Sequence, residues 1–176
     1  MPVDPPDSPA LATLFRIAGW AALASSVVSA IGVVFIVLLY AGVFSGAKEL
    51  LAFGPANDVC VVVQYLLASP VVVALDRILR WHAPRAGRVA TLAAVLGIFG
   101  VTLFQSLFLA GALSFERQIL PASVSVLLTG VWIVIAGAIG RRSGELPASR
   151  TMIVAAALYF GYPIWVWRVG RQLLGR

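Results

Sequence analysis

The length of the apolar runs constrains this chain more than any other feature. The first run extends from Ile17 to Phe44 without a charged residue. A helix of this length would measure about 42 Å, which is longer than the roughly 30 Å hydrocarbon core of a bilayer. Hydrophobic residues make up 61% of the chain and charged residues only 11%. A soluble domain has about a quarter charged residues, so the surrounding solvent is predicted to be lipid.

Five such runs predict an all-α fold, a polytopic transmembrane helical bundle. A backbone in lipid must satisfy its own hydrogen bonds, and a helix does this within one segment. Pro70 and Pro163 predict kinks in the second and fifth spans, because proline removes a backbone donor. The proline-rich residues 1–10 are expected to be disordered and residues 11–176 to form one transmembrane domain. The spans are expected at about 17–44, 59–75, 89–113, 121–139 and 152–167.

The connections and the small residues give finer expectations. Residues 45–56 are predicted to hold a short interfacial helix that ends at Gly54-Pro55, and Pro121 is expected in the first turn of span four. Small residues let helix backbones approach closely in lipid. Such residues form a stripe at i, i+4 spacing in span one and a pair on one side of span three: Ala18, Ala22, Ser26, Ala30, and Gly97 with Gly100.

The basic residues predict an orientation rather than a nucleic-acid partner. Of 13 basic residues, eight fall in the N-terminal segment, the loop 76–88 and the loop 141–151. Five fall on the other side, and three of these are in the C-terminal tail. Because short cytoplasmic loops are enriched in Lys and Arg, the N-terminus is predicted to lie in the cytoplasm. The tail would then lie outside, against the same rule, unless the fifth segment does not fully span.

Asn57 and Asp58 have two interpretations. Asn is a favoured N-cap residue and an acidic side chain in the first turn meets the positive end of the helix dipole, so both would simply start span two. Capping does not explain Gln64, which lies two turns, about 11 Å, further along on the face of Asn57. An amide at that depth must be hydrogen-bonded or costs a few kcal/mol.

Gln105 is the predicted partner of Gln64. Span three runs antiparallel to span two, which places the two glutamines at similar depth, and a hydrogen bond between them would contribute about 0.6–2 kcal/mol. One interpretation is structural: the pair holds two spans together. The other is a polar pocket that opens at the outer face, is lined by Asn57, Asp58, Gln64 and Gln105, and has Glu116 and Arg117 at its rim.

The arginines that follow span two also have two interpretations. Arg77, Arg80, Arg85 and Arg88 would either bind anionic lipid headgroups or only fix the topology of the chain. Cys60 is the only cysteine and His82 the only histidine, so neither a disulfide nor a metal site is predicted, and no cofactor is expected. The expected partners are the bilayer and possible membrane proteins, including further copies of this chain.

Two stretches resemble an uncharacterised family of small bacterial multipass membrane proteins, a domain of unknown function. One holds Asn57-Asp58, Gln64 and Pro70 and leads into "LDRIL"; the other is "GVWIVIAGAIGRRSGELP", from Gly130 to Pro147. Together they cover about a quarter of the chain. The resemblance implies a helical bundle in a bacterial inner membrane and implies no activity.

Three functions remain open at this point. A structural or accessory membrane protein requires only packing faces and basic ends. A small transporter or channel subunit would require a polar path around Gln64 and Gln105. An enzyme that modifies lipids at the outer face would use Asp58 or Glu116 as acid or base, and no nucleophile–base pair accompanies them in the sequence.

Overall fold

Four long helices form the described part of the protein. The computed structural model describes residues 9–144 together with 167, 168, 170, 171, 174 and 175. All four helices are long and apolar enough to cross a membrane. The described residues thus confirm an all-helical membrane architecture. The helices are α1 (Pro9–Ser45), α2 (Phe53–His82), α3 (Pro84–Leu109) and α4 (Phe115–Ser143), with a short 3-10 helix at Lys48–Ala52.

Five spans and two kinks are not confirmed. The predicted fifth span lies outside the described residues except for Trp167, and Pro163 lies outside them as well. Helix α2 continues through Pro70 without interruption from Phe53 to His82. A kink at Pro70 therefore stays a prediction.

The helices begin earlier than predicted, and the connections are shorter. A short helix is present in the predicted region, as the 3-10 helix, and its interfacial position stays a prediction. Gly54 and Pro55 do not end it, because they lie in the first turn of α2. The expected loop 76–88 is wrong: only Ala83 separates α2 from α3. Pro84 opens α3, where its missing N–H would have no helical partner in any case.

The expected start of span four at Pro121 is also wrong. Ser114, in an extended conformation, is the N-cap of α4, and the backbone N–H groups of Arg117 and Gln118 bond to its carbonyl. Pro121 therefore lies in the second turn. The helix tolerates a proline there because only the carbonyl of Arg117 loses its usual partner, near the end of the bundle.

Helices α1 and α2 pack along a seam of small residues. The seam in α1 includes Ala18, Ala22, Ser25, Ser29 and Gly32, all buried. The predicted stripe diverges from it, since Ser26 is half-buried and Ala30 is exposed. Steps of four residues turn by about 400°, so an i, i+4 stripe drifts around the helix, whereas alternating steps of four and three keep one side toward the neighbour.

Helices α3 and α4 approach each other through two glycines, as predicted. A Cβ atom at Gly97 would lie 2.7 Å from the carbonyl oxygen of Ser125 and 2.9 Å from the backbone nitrogen of Thr129. A Cβ atom at Gly100 would overlap the side chain of Ser125. The absence of side chains at these two positions therefore sets the distance between α3 and α4.

The described C-terminal residues pack on the N-terminal half of α1. Gly170 contacts Gly19 and Ala22, and a Cβ atom at Gly19 would lie 2.6 Å from Leu174 Cγ. Gly19 thus lies close to both Gly170 and Leu174.

Candidate functional site

Polar side chains concentrate at the two ends of the bundle. We call the end with the turn at Ala83 the inner end, after the predicted orientation, and the opposite end the outer end. At the outer end, four side chains from α2, α3 and α4 form a connected group: Asn57, Asp58, Gln105 and Gln118. We refer to these four residues as the outer amide cluster.

The outer amide cluster combines one hydrogen bond between two amide groups with a neighbouring carboxyl group. Gln118 Nε2 donates to Gln105 Oε1 at 2.7 Å. The side chains of Asn57 and Gln105 lie close to the Asp58 carboxyl group and interact with it electrostatically. Since Gln105 Oε1 already accepts from Gln118, its Nε2 is the atom that can donate to Asp58. The cluster therefore joins α2, α3 and α4 at one level.

The predicted hydrogen bond between Gln64 and Gln105 is wrong. Gln105 bonds to Gln118 instead and lies close to Asp58, and Gln64 Oε1 has no hydrogen-bond partner among the described residues. Gln64 lies on the α1 side of α2, because Ser25 Oγ donates to its backbone carbonyl at 3.3 Å. Depth along the membrane shows which residues lie at one level. The side of the helix on which a residue lies decides which neighbouring helix it contacts.

Asn57 does not cap α2. The helix begins four residues earlier, at Phe53, and Ala52 occupies the N-cap position without a side-chain bond. Asn57 is buried inside the second turn, with only 6% of its surface exposed. Its amide is therefore available to Asp58 rather than to the helix end, and the capping interpretation is wrong.

Several oxygen atoms near the outer end lack partners within the described structure. They are buried atoms of three amide groups and two hydroxyl groups: Asn57 Oδ1, Gln64 Oε1, Gln118 Oε1, Ser29 Oγ and Thr102 Oγ1. The amide nitrogens of these residues are not in this group. Buried polar atoms in proteins nearly always have a hydrogen-bond partner, so the three amide oxygens, which can only accept, indicate a place for a donor or a cation.

Glu116 and Arg117 lie at the rim of the outer end, as predicted. Both are exposed in the first turn of α4, and the Ser114 side chain beside the carboxylate lowers the pKa of Glu116. Glu116 is not part of the amide cluster. The only carboxyl group in the cluster is that of Asp58, which is half-buried.

At the inner end, Asp76 forms a compact polar group with two partners. Arg80 Nε donates to Asp76 Oδ1 at 2.8 Å, and Thr91 Oγ1 donates to the same oxygen at 2.5 Å. Asp76 is buried and Arg80 is half exposed, so the guanidinium reaches water while the carboxylate stays between α2 and α3. This group of three residues, the inner carboxylate group, ties the two helices together beside the turn at Ala83.

The four predicted lipid-contacting arginines are all exposed. Arg77 and Arg80 occupy the last two turns of α2, and Arg85 and Arg88 occupy the first two turns of α3. They therefore project from helix ends rather than from a loop. This difference matters because a helical position fixes which side of the bundle each arginine occupies.

Gln118 and Thr91 are the site residues that the sequence argument missed. Gln118 fell in a presumed loop, although Ser114 followed by Glu116 is a recognisable helix start. Gln118, Ser125 and Thr129 then follow at steps of seven and four, which marks one polar face of α4. Thr91 lies fifteen residues from Asp76 in the sequence, and only the turn at Ala83 brings the two together.

Comparisons with protein-family models, with curated proteins and with solved structures found no match to this chain. The resemblance to a family of small bacterial membrane proteins therefore stays a prediction. The description of the protein as a membrane protein rests on its four apolar helices.

Proposed function

We propose that this protein is a structural or accessory component of a bacterial inner membrane that packs beside other membrane proteins. The observation in support is the set of large apolar side chains that pack together between the two ends of the bundle. Large side chains fill this region and are almost fully buried: Val71, Leu75 and Ile78 of α2, Val101 of α3 and Trp132 of α4. Close-packed apolar side chains favour a scaffold over a conduit, since a charged solute at this depth would cost several kcal/mol.

The position of α1 supports docking of another membrane protein. Among the described helices α1 packs mainly on α2, and Gly170 and Leu174 cover part of its N-terminal half. Its other side exposes large apolar residues, including Ile17, Trp20, Val27 and Val34. In this proposal the N-terminus lies in the cytoplasm, because the basic ends of α2, α3 and α4 lie at the same end of the bundle.

Photo-crosslinking in native membranes tests this proposal. A photoreactive amino acid is placed one position at a time along exposed sites of α1 and, for comparison, at Val124, Leu127, Val131 and Val134 of α4. A docked partner gives one crosslinked species whose yield rises and falls with the helical period along α1 and is absent along α4. Equal labelling of both helices, or crosslinks to lipid alone, would contradict the accessory role.

The unpartnered oxygens favour a second candidate, a small transporter or channel subunit with a polar pocket at the outer end. In this alternative a cation or an ammonium group would bind between Asp58 and the amide oxygens of Asn57 and Gln118. Asp58→Asn in proteoliposomes would then abolish solute flux while the helical circular dichroism spectrum stays unchanged. Flux no greater than that of empty vesicles for the unmodified protein would exclude this candidate.

A further inference from the structure

A groove runs between α2 and α3 on the lipid-facing surface of the bundle. Its volume is about 370 Å³. Apolar side chains and two hydroxyl-bearing residues line it: Leu66, Ser69 and Val73 from α2, and Val95, Phe99 and Thr102 from α3. In a membrane such a groove is filled by hydrocarbon, because water has no place at this depth.

On α2 two arginines follow the groove-lining residues toward the inner end. Leu66, Ser69, Val73, Arg77 and Arg80 follow one another at steps of three, four, four and three residues. Residues at these steps lie on one side of a helix. Arg77 and Arg80 are therefore on the side of α2 that lines the groove, one to two turns closer to the inner end.

On α3 the same relation places Arg88 beside the groove. Thr102, Phe99 and Val95 are separated by steps of three and four, and Arg88 lies two turns beyond Val95 toward the inner end. Arg85 lies 17 residues from Thr102, which places it about 100° around the axis of α3 from that residue. It therefore lies beside the groove-lining side of α3 and not on it. The mouth of the groove is therefore formed by Arg77, Arg80 and Arg88.

These three arginines offer positive charge to a ligand. Arg77 and Arg88 are exposed, and no described residue forms an ion pair with either. Arg80 bonds to Asp76 through Nε only, which orients its guanidinium and leaves the other N–H groups free to donate. Guanidinium groups bind phosphate through paired hydrogen bonds, so the mouth suits an anionic phosphate ester.

The length of the groove suits one acyl chain. From Arg77 to Leu66 is eleven residues, or about 16 Å along the axis of α2. Half of the hydrocarbon core measures about 15 Å. A chain whose headgroup lies at the level of the arginines would therefore extend along the groove and end near the middle of the membrane, beside Leu66.

We propose that this groove and its three arginines bind one anionic phospholipid from the leaflet at the inner end. The phosphate lies among Arg77, Arg80 and Arg88, and one acyl chain lies along Val73, Val95 and Phe99. This site does not depend on whether another protein docks on α1. A lipid held in this way would fix the position of the bundle in the leaflet and fill the space between α2 and α3.

Native mass spectrometry of the full chain in a neutral detergent tests the headgroup. Phosphatidylglycerol and phosphatidylcholine with identical acyl chains are added separately. We expect one phosphatidylglycerol to remain bound, with an affinity at least about tenfold above that of phosphatidylcholine. Arg77→Gln with Arg88→Gln should weaken phosphatidylglycerol binding by about 30-fold.

Arg141→Gln with Arg142→Gln provides the matched control. This pair removes the same charge from exposed positions at the inner end of α4, away from the groove. Its effect on phosphatidylglycerol binding should stay below about threefold. Equal losses for the two double variants would show that only the overall surface charge attracts the lipid, and equal affinities for the two lipids would equally overturn the proposal.

Val95→Trp tests the groove, and Val134→Trp is its control. The two valines are 52% and 48% exposed, but only Val95 lines the groove. Val95→Trp should weaken phosphatidylglycerol binding about tenfold, and Val134→Trp should leave it unchanged. A lipid in the groove would be contradicted if Val95→Trp left binding unchanged or if millimolar inorganic phosphate displaced the lipid. It would also be contradicted if the protein were a dimer that Val95→Trp dissociates.

Discussion

The inner and outer ends of the bundle use polar side chains in different ways. At the inner end, the buried oxygen of Asp76 accepts from both Arg80 and Thr91. At the outer end, Gln105 Oε1 accepts from Gln118, but Asn57 Oδ1 and Gln118 Oε1 have no partner among the described residues. In the inner carboxylate group Asp76 is bonded to both other residues, as expected of a structural contact. The outer amide cluster contains amide oxygens that accept no hydrogen bond from the residues around them.

This difference separates the stabilising role of a polar group from a binding role. In lipid a completed hydrogen bond between helices contributes about 0.6 kcal/mol on average, and an unpartnered carbonyl is unfavourable. A site selected only for stability would be expected to contain few unpartnered atoms. Substitutions that remove one polar group at either end should therefore change the free energy of unfolding by different amounts. For one residue, Gln64, the change should also have the opposite sign.

Asp76→Ala should have the largest effect. It removes two hydrogen bonds and leaves the half-buried Thr91 hydroxyl without its acceptor, while Arg80 can still reach water. Because hydrogen bonds to charged groups contribute about 1.5–3 kcal/mol and this arginine is half exposed, we expect a loss of about 2–3 kcal/mol in the free energy of unfolding. Dodecyl sulfate titration in mixed micelles measures it.

Asp76→Asn is the control for this substitution. It keeps an oxygen for the Thr91 hydroxyl and for Arg80, so it should lose less stability than Asp76→Ala. If Asp76→Ala leaves the unfolding midpoint unchanged, the inner carboxylate group does not stabilise the packing of α2 on α3. The proposed difference between the two ends would then be wrong.

Gln105→Leu should have the next largest effect. The substitution leaves Gln118 Nε2 without an acceptor and Asp58 without one of its neighbouring amides. We expect a loss of about 1–2 kcal/mol in the same unfolding titration. A double-mutant cycle with Gln118→Leu isolates the bond between the two amides. Additive effects in this cycle would contradict a direct interaction.

Thr91→Val should have a smaller effect, because it removes one hydrogen bond and keeps the shape of the side chain. Asp76 retains Arg80 as a partner. We expect a loss of about 1 kcal/mol. The matched control is Thr13→Val, which removes a bond between the exposed Thr13 hydroxyl and the Pro9 carbonyl near the end of α1. Equal losses in the two variants would show that burial adds nothing at Thr91.

The membrane-spanning class and the approximate position of four helices follow from hydrophobicity alone, since 18 or more apolar residues require lipid. The close approach at Gly97 and Gly100 was also predictable, because a helix fixes which small residues share a side. Both inferences depend only on short-range periodicity.

The pairing of polar residues did not follow from the sequence. Depth along the membrane can be counted in residues, but the rotation of one helix against another depends on every contact between them. Gln105 therefore meets Gln118 and Asp58 rather than Gln64. The helix starts at Phe53 and Phe115 also differ from the predicted ones, because apolarity marks the hydrocarbon core and not the ends of a helix that extends beyond it.

Gln64→Leu should have the smallest effect, and its sign is the most informative result. The side chain is only 3% exposed and its Oε1 has no partner. Leucine has a similar size and removes a buried acceptor, so the free energy of unfolding should change by less than about 0.5 kcal/mol or increase by up to about 1 kcal/mol. The backbone carbonyl that accepts from Ser25 is unaffected.

Gln118→Leu makes the same chemical change at the partnered glutamine and should destabilise the protein by about 1 kcal/mol. Opposite signs for the two substitutions would show that Gln64 is kept for a reason other than stability, which is the pattern expected of a residue that contacts a ligand. A clear loss of stability in Gln64→Leu would instead mean that its amide already has a structural partner. The polar residues at the outer end would then stabilise helix packing, as those at the inner end do.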